Sequence, residues 1–138
     1  MHSTPKALFR QFTSQTSGVS AIGFALVFPA LVTVVLGLFH VGIGFFGIQQ
    51  AQATTELVAR QAFTMDDPSA EDITALINEN LGITLGGEFT PNVQMTEKYG
   101  ATYAEVQIAF KYEPVIPFLP RLNFQTTTSA EVLVRDLD

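Results

Sequence analysis

The chain has 138 residues, a net charge of −6, 47% hydrophobic side chains and no cysteine or tryptophan. Without cysteine it has no disulfides, thiolate metal sites or thiol catalysis. Its acidic balance also lacks the basic surface that displaces counterions from nucleic acid.

The first segment is a short leader in which Lys6 and Arg10 are the only charged side chains before the apolar run. The rest of the chain carries 5 basic against 13 acidic residues. Basic residues beside a membrane segment hold that end in the cytoplasm. This places the N-terminus in the cytoplasm and the acidic C-terminal part on the other side of the membrane.

No Asp, Glu, Lys or Arg occurs between Arg10 and Glu56, and Val19 to Ile48 is almost wholly apolar. About 20 apolar residues cross a bilayer. From Ile22 to Phe46 there are 16 Ile, Leu, Val and Phe residues. Their insertion gains roughly 5–10 kcal/mol before the costs of Gly, Pro29 and His40 are subtracted. Ala51-Gln52-Ala53 has the small-x-small form of a signal-peptidase site. The apolar region of a cleaved signal is normally about 7–15 residues, and this one is about twice that. Pro29 reads as a kink in a continuing helix. His40 is the one ionisable side chain at membrane depth, either a functional group or a neutral partner in a helix contact.

Small residues mark one stripe of this helix. Gly23, Ala30, Gly37, Gly44 and Ala51 recur every seven positions, with His40, Gly47 and Thr54 at the intervening offset. Bare stripes let helix backbones approach closely in lipid. Gly37, His40, Gly44, Gly47 and Ala51 are therefore the candidate helix-packing face, against other membrane helices. The sequence from Gln49 to Phe63 has no proline or glycine. A continuous helix from about Ser17 to Phe63 would be near 70 Å long at 1.5 Å per residue.

Asp66-Asp67-Pro68-Ser69 breaks that helix and starts another, capped either by Asp67 with Pro68 at the first position or by Ser69 with Asp72. Ile73, Leu76, Ile77 and Leu81 form its apolar face, and Gly82 ends it. Gly86-Gly87 opens a strand-rich remainder. Val93 and Met95 suggest a short strand. From Tyr103 to Glu113, Val106, Ile108, Phe110 and Tyr112 alternate with Glu105, Gln107 and Lys111. Leu122 to Val134 repeats the alternation, with Leu122, Phe124, Val132 and Val134 on the face opposite Gln125, Glu131 and Arg135. Between these strands Pro114 to Pro120 contains three prolines, which forbid a regular central strand. This apolar loop is either packed under the sheet or exposed for a partner.

The reading is an α+β chain. Residues 1–17 form a cytoplasmic basic leader, 18–63 a transmembrane and stalk helix, and 64–138 an extracytoplasmic β-rich head. The head has a short helix and a three-stranded antiparallel sheet whose inner face packs on the helices. Nothing in the sequence assembles catalytic chemistry. His2 lies in the leader, His40 in the membrane segment, and the head has no histidine for acid–base work or metal binding. Its carboxylates are scattered, and Gly82 to Gly87 lacks phosphate-loop spacing. The expectation is no enzyme, no cofactor, no metal and no small-molecule substrate.

The run from Ser17 through Pro29 resembles the opening of TadE-like pseudopilins of the bacterial tight-adherence (Flp, type IVb) pilus. Phe24-Ala25-Leu26-Val27-Phe28-Pro29 matches in order, and Gly18 sits where the family's leader ends in glycine. Gln49-Gln50-Ala51 through Ala59-Arg60-Gln61-Ala62 is similar to the family's glutamine- and alanine-rich exit from the membrane. The resemblance implies a pilin-like minor subunit acting through contacts with other pilin-like subunits and the pilus assembly machinery. It also implies cleavage by a prepilin peptidase between Gly18 and Val19. Gly23 departs from the pattern, since the family has glutamate there to pair with the amino terminus of a neighbouring subunit. A minor, tip or priming subunit tolerates that loss better than a shaft subunit. Two other readings stay open. One is a single-pass envelope anchor whose acidic outer domain binds a partner. The other is a small secreted domain released after Ala53.

Overall fold

The computed structural model describes residues 16–136, with side chains from 18 to 134; most of the leader lies outside the described residues. One helix, α1, runs unbroken over Thr16–Thr64. An apolar run without charge as far as Glu56 satisfies its backbone groups internally as a helix in lipid, and Pro29 does not stop it. The Thr33 hydroxyl donates to the Pro29 carbonyl at 2.8 Å.

The second helix, α2 (Ala70–Asn80), is fixed by a capping box at Ser69. The Asp72 N–H donates to Ser69 Oγ at 3.2 Å, while the Ser69 N–H donates to Asp72 Oδ2 at 2.9 Å. Of the two caps the sequence allows, it is Ser69 that forms. The helix ends at Asn80, two residues before Gly82. Leu81 is the C-cap in extended conformation, and its N–H donates to the Ile77 carbonyl at 2.8 Å. Gly82 therefore supplies no left-handed cap.

Three strands follow: β1 (Glu88–Lys98), β2 (Ala101–Tyr112) and β3 (Phe124–Asp136), antiparallel in the order β1-β2-β3. β1 is much longer than Val93 and Met95 alone suggest. Pro91 disguises it, yet is tolerated because β1 is an edge strand with β2 as its one neighbour. Tyr99 (φ 56°) and Gly100 (φ 80°) join β1 to β2. Two consecutive positive φ values are the signature of the type I′ hairpin, whose twist matches that of the strands. A register shift opposite Thr102 and Tyr103 bends the far end of β3.

The helices cover one face of the sheet, α1 against β2 and β3 and α2 against β1. Ala51, Val58 and Ala62 of α1, Ile73 and Ile77 of α2, and Ala104, Val106, Ile108, Phe110, Tyr112 and Val132 of the sheet form the buried core. The alternation in β2 is thus realised side by side, with Glu105, Gln107 and Lys111 outside. The loop after β2 divides the two possibilities the sequence leaves open. Pro114 and Ile116 are buried, whereas Val115 and Phe118 are exposed.

Candidate interaction site along the helix

The small stripe of α1 is where the sheet sits. Gly47 faces Phe110 so closely that a β-carbon at Gly47 would overlap the ring. A β-carbon at Gly44 would stand 2.6 Å from Cγ of Phe124. Each glycine is required by an aromatic ring laid flat against the backbone. Phe110 is held from the other side by Gly87, where a β-carbon would also overlap it, and stacks with Phe89 at a centroid distance of 4.8 Å.

The contacts continue along the stripe at alternating steps of three and four residues, the spacing of one helix face. At Ala51 the link is polar. The Thr55 hydroxyl donates to the Ala51 carbonyl at 2.8 Å and meets the Thr128 hydroxyl of β3 at 2.6 Å. At His40, Nδ1 pairs with the Tyr112 hydroxyl at 2.5 Å. Burial pushes the Tyr112 phenol above its ordinary pKa of 10.0, so it stays protonated and available as the donor. His40 is thereby the polar partner of the head. At Gly37 the nearest atom is Leu119 Cδ1, 3.5 Å from where a β-carbon would stand. Beyond it Phe118 lies beside Pro29, Ala30 and Thr33.

The face read from the sequence as Gly37, His40, Gly44, Gly47 and Ala51 is therefore occupied by the chain's own strands and loop. The sequence signal was close approach of a partner, and small residues cannot say whether that partner is a helix or a sheet. Phe110, Phe124 and Tyr112 are the functional counterparts that the stripe alone did not name. Their position on the inner face of alternating strands was the available signal.

The apolar run consequently divides. Past His40 the helix is half covered by the head, whereas Val19, Ile22, Phe24, Leu26, Val27, Leu31, Val34, Val35, Leu38 and Phe39 are all exposed. The helix contains an 18-residue window of mean hydropathy 2.5, none of it buried within the chain. Val19 to Phe39 is about 30 Å at 1.5 Å per residue, the thickness of a bilayer's hydrocarbon core. Gly18 and Gly23 lie on this bare end, and a β-carbon at either would meet nothing within 4 Å. Among the described residues no group of three or more His, Asp or Glu is placed to hold a metal ion.

An apolar helix of membrane-spanning length, with a small α+β head seated on its C-terminal half, defines a stalk-and-head protein suited to membrane anchoring. The family model described as TadE-like protein matches residues 18–61, and over this segment the chain is similar to that family. The match covers the bare half of α1 and nearly all of the seat, but none of the sheet. No curated protein and no solved structure matches the chain.

Proposed function

We propose that this chain is a minor pseudopilin or assembly subunit of a tight-adherence pilus, anchored in the bacterial inner membrane. The TadE-like match carries the reading, falling as it does on a helix whose N-terminal apolar half is largely exposed. Residues 1–17 are the cytoplasmic leader and Val19 to Phe39 cross the lipid. The head beginning at residue 64 stands outside, sharing the C-terminal half of α1 as its own core. Lys6 and Arg10 set this orientation by the positive-inside bias.

The prepilin peptidase would cut between Gly18 and Val19, where the resemblance to the family puts the scissile bond. Contacts with other pilin-like helices fall on the uncovered half of α1, where Gly23 continues the seven-residue series of small positions. Since Gly23 brings no carboxylate to pair with a neighbour's amino terminus, the chain fits a position with few subunit contacts. The secreted alternative requires cleavage after Ala53. That cut would remove Gly44, Gly47 and Ala51 from beneath the sheet, exposing Phe110 and Phe124.

N-terminal sequencing of the mature protein tests this reading. Val19 is the expected first residue. Thr54 would overturn it in favour of a secreted domain, and an intact Met1 in favour of a permanent single-pass anchor. Because the chain has no cysteine, a single Tyr99→Cys reports orientation. It should react with an impermeant maleimide from the periplasmic side of intact cells, and reaction only after lysis would overturn the orientation.

A further inference from the structure

The loop between β2 and β3 is built unlike the rest of the head. From Pro114 to Pro120 it has no charged residue, and Lys111, Glu113 and Arg121 gather at its neck. Two residues hold it down, Pro114 and Ile116, both buried. Its tip points the other way, with Val115 82% and Phe118 89% exposed. The Leu119 N–H donates to the Ile116 carbonyl at 3.3 Å, closing a turn with Pro117 and Phe118 at its centre. Phe118 has φ 65°. Proline followed by a residue with positive φ is the pattern of a type II turn, whose second central position normally takes glycine. A bulky aromatic side chain there is strained, and such outliers persist where they serve a purpose.

The tip's position says what that purpose is. Phe118 stands beside Pro29, Ala30 and Thr33 of α1, lining with them a hollow of about 370 Å³. Its exposed surface is continuous with the bare apolar half of the helix, on the membrane side of Phe39. Thr33, Ala30 and Pro29 lie about 9 to 15 Å along the axis from Phe39 at 1.5 Å per residue. Segments seated in a bilayer interface are buried about 5–10 Å. Backbone N–H groups are the cost of putting a loop at that depth. Pro114, Pro117 and Pro120 have none, and that of Leu119 is bonded within the turn.

We propose that Pro114–Pro120 is a second membrane contact, inserting Val115 and Phe118 among the lipid acyl chains beside α1. The head is then held to the bilayer at two points, the helix and this loop, with the neck charges at headgroup level. The proposal rests on the membrane reading of α1, and its test separates the two.

The chain has no tryptophan, so single substitutions give unambiguous probes. The full chain carrying Phe118→Trp, Val115→Trp, Val27→Trp or Tyr99→Trp is reconstituted in phosphatidylcholine–phosphatidylglycerol vesicles with brominated acyl chains. Val27 lies in the exposed half of α1. Tyr99 tips the opposite end of β2, roughly 37 Å from the loop at 3.4 Å per residue. Emission from the probes at positions 118 and 115 should be blue-shifted and lost to bromine as strongly as that at position 27, while position 99 keeps its intensity. Quenching at 27 without quenching at 118 and 115 overturns the loop proposal and leaves the membrane helix standing. No quenching at 27 overturns the membrane reading and the proposal with it. A blue-shifted but unquenched probe at 118 that depends on the protein-to-lipid ratio would place a second copy over the loop, overturning the proposal.

Discussion

The ring of Phe110 occupies the space that a β-carbon on Gly47 would need. Gly47 is thus fixed by the sheet, not by the helix, since glycine in a helix interior is about 1 kcal/mol worse than alanine. Gly47→Ala should destabilise the head by about 1–3 kcal/mol, the range for overpacking a filled core. Gly42→Ala, where a β-carbon meets nothing within 4 Å, should instead be neutral or stabilising by up to about 1 kcal/mol. Denaturant melts of the two variants in detergent, followed by near-ultraviolet dichroism, distinguish them. Equal stability would mean that Phe110 does not rest on Gly47.

His40 and Tyr112 form the polar tie nearest the membrane. Tyr112→Phe removes the donor and leaves the ring nitrogen of the half-buried His40 unpaired, at a cost of about 1 kcal/mol. His40→Leu should also destabilise. Because both variants break the same bond, the double variant should cost less than the sum of the two. Strict additivity in a double-mutant cycle would show the pair to be uncoupled. The phenol's pKa lies above 10.0 when folded, so its contribution is complete below pH 10 and is lost as pH rises through the folded value.

At the start of α2, hydrogen bonds from the Ser69 hydroxyl and backbone N–H hold the Asp72 carboxyl below its ordinary pKa of 3.8. A depressed pKa stabilises the fold above the unfolded value and is lost as pH falls through the folded one. The helical signal should therefore begin to weaken below about pH 3.9, and Asp72→Asn should remove that acid-dependent component. Ser69→Ala should cost about 1 kcal/mol at neutral pH. Hydrogen exchange at Asp72 and Ile73 reads both effects, and unchanged exchange in Ser69→Ala would refute the cap.

Thr128 joins β3 to α1 through the Thr55 hydroxyl at 2.6 Å. Thr128→Val preserves shape and strand preference while removing the hydroxyl, and should cost about 0.5–1.5 kcal/mol. Thr127→Val, at the exposed neighbouring position, should stay within about 0.5 kcal/mol of the parent. Thermal melts of the two variants in the same detergent provide the comparison; coincident curves would dismiss the threonine link.

Much of the architecture was legible because the periodic signals were strong. Val106, Ile108, Phe110 and Tyr112 alternate without interruption, and an apolar run with no charge before Glu56 and one proline leaves little choice of conformation. Ser69 and Asp72 had the spacing of a capping box. β1 was legible only at Val93 and Met95, because Pro91 and its polar neighbours mask an edge strand whose outward groups need no partner. The small stripe was read as a face for other membrane helices, whereas Gly44 and Gly47 lie under the chain's own Phe124 and Phe110, an occupant the stripe does not name. A glycine records how near something comes and carries no mark of what it is. The Tyr99–Gly100 hairpin lacked the asparagine or aspartate that usually announces such a turn. The Pro114–Pro120 loop could not be assigned from composition, since its residues divide between core and surface one by one.

The notches in α1 also determine where the head can stop. Moved one seven-residue repeat toward the leader, about 10 Å, Phe110 would strike the imidazole of His40. Moved as far the other way, it would meet Thr54, and Phe124 would meet the methyl group of Ala51. Two rings and two glycines, three residues apart, thus admit one elevation, and the head is indexed to a single level along its stalk.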